Sequence, residues 1–260
     1  MRRGAVMAIG LFAAAANGAI KEREIDYKAG GVVLKGSLAY DDALSGKRPA
    51  VLVVHEWWGL NEFARTSARR LAAAGYVALA LDMYGEGKLT HHPQDAAKFL
   101  TEIRTNLPLM KARFEAARDL VQSQSNVDSK RIAAIGYCFG GAVVLEMARA
   151  GENLRGVVSL HGELDTTTPA LPGTVKAHVL VLTGGADPYA PQEHVEALDR
   201  ELKSAGVRYQ IVTYPGVKHS FTDPAATDDG KEFGFPEEYN ADADKDSWNK
   251  TLAFLARVMK

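Results

Sequence analysis

A single cysteine, Cys138, stands among 260 residues. That count excludes an intrachain disulfide and a closed all-cysteine metal site. Charge of one sign is missing too: 31 Lys and Arg against 32 Asp and Glu leave a formal net charge of -1. No basic run is dense enough to neutralise a row of phosphates, so nucleic acid is not expected as a partner. Beyond the N-terminus every apolar run is short and bounded by glycine, proline or charge, and no membrane span is expected in the mature chain. Internal repeats and low-complexity linkers are absent. The chain is long enough to bury a full core within one large α/β domain, expected over residues 20–260.

The first residues read as a targeting segment. Met1-Arg2-Arg3 is a positive n-region, Gly4 to Ala16 a short apolar region, and Ala16-x-Gly18 or a nearby position a small-residue cleavage site. Residues 1–19 are therefore expected to be a secretory signal peptide, which implies a secreted or periplasmic protein. A retained apolar helix in a cytoplasmic protein is the alternative.

Along the chain, strand and helix patterns alternate. Lys21–Tyr27 and Val32–Tyr40, separated by Gly30-Gly31, predict a β-hairpin. Pro49–His55 and Tyr76–Asp82 are continuous apolar runs typical of strands buried on both faces, with a helix capped by Asn61 and ended by Gly75 between them. Such an order makes a right-handed crossover and a parallel pair. Helical patterns follow over 93–105 and 108–123, with Pro108 expected to break them. Further strands are expected at 154–161, 178–184 and 209–214. Helices are expected at 191–206 and 244–259, the last preceded by an acidic loop. The whole predicts a mostly parallel, doubly wound sheet flanked by helices on both faces, with its site at the carboxyl ends of the strands.

One stretch stands out, Arg131 to Arg149. Its apolar run Ile132 to Ile135 delivers the chain into Gly136-Tyr137-Cys138-Phe139-Gly140-Gly141, and a helical pattern begins at once. A thiol at the apex of a strand–turn–helix is held clear of the sheet. Backbone N–H groups and the positive helix end there favour a thiolate and later an oxyanion. A nucleophile needs a base, and the base an orienting group. Asp187 lies just past the strand at 178–184 and His219 just past the next, so the order is nucleophile, acid, histidine, as in α/β-hydrolases.

With these motifs the sequence resembles the dienelactone hydrolase family from about residue 20 to the C-terminus. The resemblance rests on His55-Glu56-Trp57-Trp58-Gly59-Leu60-Asn61, Asp82-Met83-Tyr84-Gly85, the elbow around Cys138, Gly185-Ala186-Asp187-Pro188 and His219-Ser220-Phe221. It implies an α/β-hydrolase fold and cleavage of a small ester or lactone through a thioester. Cys138 would be the nucleophile, His219 the base and then acid, and Asp187 the group that holds the imidazole. Glu56 would be the glutamate that restrains the resting thiol and helps generate the thiolate when substrate enters, and the backbone N–H groups of Trp57 and Phe139 would form the oxyanion hole.

The family's best-known members grip a substrate carboxylate with two arginines, but here those regions read Gly85-Glu86-Gly87-Lys88 and Thr222-Asp223-Pro224. Lys88 is the one replacement cation, and Trp57, Trp58, Tyr84, Phe139 and Phe221 suggest an apolar mouth. Trp58, Tyr84, Lys88 and Phe221 are thus the expected substrate contacts. The acidic stretch Thr222 to Asp246 reads equally as a lid or a solvated insertion.

No cofactor and no metal are expected. Asp242-x-Asp244-x-Asp246 opens like a calcium loop but places Ser247 sixth and Ala253 twelfth, and His91-His92 reads as a solvated loop pair. The oligomeric state stays open between a monomer and a small homo-oligomer. Competing readings are a thiol-based redox sensor, for which no resolving cysteine exists, and a non-catalytic ligand-binding protein.

Overall fold

The computed structural model describes residues 19–260. The leader expected at the N-terminus lies, up to residue 18, outside the described residues. Strands β1 (Ile20–Ala29) and β2 (Val32–Asp41) form the hairpin, antiparallel and in unbroken register from Ile20 opposite Asp41 to Ala29 opposite Val32. The chain then alternates through β3 (Arg48–Val54), α1 (Glu62–Ala73), β4 (Val77–Leu81), α2 (Pro93–Arg104), α3 (Leu107–Gln122), β5 (Val127–Tyr137) and α4 (Phe139–Arg149). It continues through β6 (Gly156–Leu160), β7 (His178–Gly184), α5 (Gln192–Ser204), β8 (Tyr209–Tyr214), α6 (Ala226–Phe233) and α7 (Ala241–Val258). All eight strands join one sheet in the order β1-β2-β4-β3-β5-β6-β7-β8. Pairing is antiparallel at β1–β2 and β2–β4 and parallel from there to β8.

Alternation within the central strands builds two cores. Ala50, Leu52 and Val54 of β3 join Phe114 of α3, Val143 of α4 and Leu198 of α5 on one face, while Val51 and Val53 join Leu71 of α1 and Leu255 of α7 on the other. Each fully buried side chain of this size contributes about 1.5–3 kcal/mol. With both faces covered, neither can tolerate charge, which is why these strands read as continuous apolar runs.

Three boundaries differ from the sequence reading, each for a physical reason. The expected break between the two helical stretches is present, but α3 starts at Leu107, one residue ahead of Pro108, which lies in its first turn behind the N-cap Asn106, whose side chain accepts from the Leu109 N–H at 3.1 Å. Helix α6 occupies part of the expected acidic loop. Only Ala226 of it is buried, so it carries no apolar stripe to read. Helix α7 starts at Ala241, ahead of the expected Asp244, because the Asn240 side chain accepts from the Ala243 N–H and Asp242 and Asp244 sit in the first turn. No helix among the described residues is long and apolar enough to cross a membrane.

Candidate active site

The carboxyl ends of the parallel strands converge on Cys138. It sits between β5 and α4 at φ 50° and ψ -117°, a conformation that costs a non-glycine residue about 1–3 kcal/mol. The flanking glycines explain how the turn is held. A Cβ at Gly136 would lie 2.0 Å from Gly140 O, and one at Gly140 would lie 2.3 Å from Val54 O. The backbone crosses itself and β3 too closely for any side chain. The Cys138 N–H is shared between Leu160 O at 3.0 Å and His161 Nδ1 at 3.1 Å, which leaves the half-buried thiol at the helix N-terminus.

The turns after β7 and β8 bring Asp187 and His219 together. His219 Nδ1 donates to Asp187 Oδ2 at 2.7 Å, and Asp187 Oδ1 accepts from the Tyr189 N–H at 2.8 Å. Both side chains are buried. Burial disfavours the imidazolium, but the facing Cys138 sulfur and the Asp187 carboxylate outweigh it and hold His219 well above the ordinary histidine pKa.

Glu56, just past β3, is 2% exposed and accepts from Ser220 Oγ at 3.3 Å. Burial first, then the negative charges of Asp223 and Cys138, push the pKa of its carboxyl well above the usual range and favour its protonated form. His161 was not anticipated. It is fully buried after β6, with Nδ1 accepting from the Cys138 N–H and Nε2 donating to Thr222 Oγ1 at 2.8 Å. Burial and the charge on His219 hold its pKa well below the ordinary value, which keeps it neutral in this one tautomer. The signal that could have found it is its place at a carboxyl strand end, in Leu160-His161-Gly162.

The loop after β3 is fixed from below. His55 Nδ1 donates to Glu56 O at 2.5 Å while its Nε2 accepts from the Met83 N–H at 3.2 Å, and the Tyr84 hydroxyl donates to Trp57 O at 2.9 Å. Asp82 accepts from the Tyr84, Gly85 and Gly87 N–H groups, which accounts for the Asp-Met-Tyr-Gly motif as a loop brace. Among the described residues neither the Trp57 nor the Phe139 N–H has a protein acceptor.

Cys138 and His219 open onto a cavity of about 200 Å³ lined also by Trp57, Ala97, Leu100, Thr101, Glu163, Tyr189, Phe235 and Glu237. None of the four expected substrate contacts lines it. Trp58 packs 4.5 Å from Trp57 and 6.0 Å from Phe233, ring centre to ring centre. Tyr84 is buried against His55 and Phe139, and Phe221 is buried against His161 and Tyr214. Lys88 lies with Glu86, its Nζ 3.6 Å from the carboxylate. Three of the four are core and loop supports: Phe233 of α6 packs on Trp58, while Tyr84 and Phe221 are held within the fold by the neighbours just named. The segment after His219, read as lid or insertion, supplies Phe235 and Glu237 to the wall. Tyr189 and the α2 side chains were missed as well; Tyr189 is signalled only by standing two residues after Asp187. Among the described residues no three His, Cys, Asp or Glu side chains gather as a metal-binding set.

A thiol, an imidazole held by a carboxylate, and free N–H groups around one small cavity form a set able to carry acyl transfer. The sequence is 30% identical over 226 residues to a Salmonella typhimurium protein named as a carboxymethylenebutenolidase, covering 83% of this chain and 79% of that one. Among solved structures, a dienelactone hydrolase-like promiscuous phosphotriesterase from metagenomic libraries superposes with a TM-score of 0.85 at 33% identity, covering 94% of this chain and all (100%) of the other. The structure called m3DLH superposes with a TM-score of 0.87 at 36% identity, with the same coverage of 94% and 100%. The dienelactone hydrolase family matches residues 34–259, nearly the whole described chain, and to that family of hydrolases this protein belongs.

Proposed function

We propose that the protein hydrolyses a small ester or lactone by Cys138-His219-Asp187 nucleophilic catalysis. The observation that carries this reading is the 2.7 Å His219–Asp187 hydrogen bond, with the imidazole and Cys138 facing one cavity. In this reading the Cys138 sulfur, its proton passed to His219, adds to the substrate carbonyl. The resulting oxyanion accepts from the Trp57 and Phe139 N–H groups. Collapse breaks the carbonyl–oxygen single bond and leaves a thioester. His219 returns the proton to the departing alkoxide, then takes one from a water that attacks the thioester, and the acid is released with the thiol restored. Asp187 fixes the imidazole tautomer throughout.

Glu56 adds to this through its raised pKa. The burial and neighbouring carboxylate that favour its protonated form lessen the repulsion between it and a Cys138 thiolate. The test is a panel of lactones and aryl esters, with an aryl phosphotriester included because one relative is described as a promiscuous phosphotriesterase. Cys138→Ala is expected to lower ester and lactone turnover by about 10³-fold or more with the fold retained. Turnover that survives in that variant rejects the mechanism.

A further inference from the structure

The cavity holds two carboxylates in an otherwise mainly apolar wall, and they differ in their partners. Glu163 is ion-paired with Arg104. Glu237 has no ion-pair partner: the Ser220 side chain is the polar group that reaches its carboxyl, and its Oε1 is fully buried and accepts no hydrogen bond. Lys218, next to His219, is engaged by Glu238 at 2.8 Å instead. A buried oxygen left without a donor is costly, and folded proteins keep few of them.

Glu237 is also held in place by packing that its neighbours are shaped for. Its backbone bridges to His219, and the adjacent Glu238 N–H donates to His219 O at 3.1 Å. On the other side, a Cβ at Gly230 of α6 would stand 2.6 Å from Glu237 O and 3.3 Å from its Cγ. The carboxylate is thus fixed beside the imidazole. The charged and titratable groups around it are His219 after β8, Asp229 of α6, Asp223, Tyr189 and Cys138, with the paired Glu163 in the same cavity wall. His219 is the one cation in this set.

We propose that Glu237 is the specificity-determining residue for substrate charge, excluding groups that carry a carboxylate close to the reacting carbonyl and admitting neutral or cationic ones. The inference rests on Cys138 being the reacting atom, as in the proposed function, and it assigns the substrate class that the missing arginines left open. Burial first, with Asp229 and Asp223 adding to it against the opposing charge of His219, raises Glu237 to a pKa of about 7. The exclusion therefore strengthens as pH rises through that value.

The test uses the full-length protein, whose one cysteine makes its intact mass a direct count of Cys138 modification. Rates of alkylation by iodoacetate and by iodoacetamide, matched in size and differing in charge, are compared from pH 6 to 8. Their ratio cancels the reactivity of the sulfur itself. In the wild type the iodoacetate to iodoacetamide ratio is expected to fall across this range, and Glu237→Gln is expected to raise it at pH 8 by about tenfold or more and to flatten its pH dependence. A wild-type ratio that does not change with pH, or a variant ratio within about twofold of wild type, overturns the proposal. The wild-type pH series stands even if the variant folds poorly. A parallel run with 4-nitrophenyl butyrate and mono-4-nitrophenyl glutarate separates the two ideas: absent ester turnover with charge-selective alkylation rejects the hydrolytic reading and leaves Glu237 as the selector.

Discussion

Glu56 is where the physics of one residue departs most from its motif. Read in the sequence it is a carboxylate beside a thiol; in the fold its protonated form is favoured, because burial and the carboxylate of Asp223 both oppose its ionisation. The consequence for stability has a definite sign. With its folded pKa raised, Glu56 binds more protons in the folded than in the unfolded chain above pH 4.5, so stability falls as pH rises from there towards the folded value, by at most about 1.4 kcal/mol per pH unit. Glu56→Gln removes that slope. Its melting temperature relative to wild type, followed by calorimetry, is expected to rise as pH increases from 5, and a constant difference would contradict a raised Glu56 pKa. Cys138, Asp187 and His219 were legible because each ends an apolar strand and their chain order is distinctive. Glu237 was not: it is one of nine acids between Thr222 and Asp246, and what sets it apart is its contact with Gly230 and His219, which pairs residues distant in the chain.

At the scale of elements, the loop after β3 is positioned by the loop after β4, and Tyr84 is the joint. Its hydroxyl donates to Trp57 O, on the peptide that follows the Glu56–Trp57 peptide whose N–H is assigned to the oxyanion, so it restrains that N–H from one residue on. Tyr84→Phe leaves that carbonyl without its donor, at a cost of about 1–2 kcal/mol. If the Trp57 N–H acts on the oxyanion, kcat should fall about tenfold while KM changes little, since an interaction made only in the transition state is weakened. Equal loss through KM alone would place Tyr84 in ground-state binding instead. The central strands could be read in advance because β3, β4, β6 and β7 are buried on both faces and look continuous. Helix α6 could not, since burying only Ala226 leaves no period in its sequence, yet α6 carries the Gly230 that seats Glu237.

Across the whole molecule, the carboxyl ends of the central strands place titratable groups between two apolar cores. His55 and His161 are both fully buried there, and both have pKa values held down, first of all by that burial. For a lowered histidine the unfolded chain binds more protons below pH 6.5, so stability is intact above that pH and is lost as pH falls through it. Glu56 lies 3.9 Å from His161 Nδ1, but its raised pKa weakens it as a counter-charge to an imidazolium. Protonating His161 would also give its Nδ1 a hydrogen facing the Cys138 N–H, breaking the acceptor that helps hold the elbow. His161→Gln keeps an acceptor for that N–H and a donor for Thr222 without a group that titrates. It is expected to melt below wild type at pH 8 and to close that gap as pH falls from 6.5 to 5, because only the wild type then also has to keep a buried His161 uncharged, His55 being common to both. Parallel melting curves over the same range would mean that acid unfolding of this fold begins elsewhere.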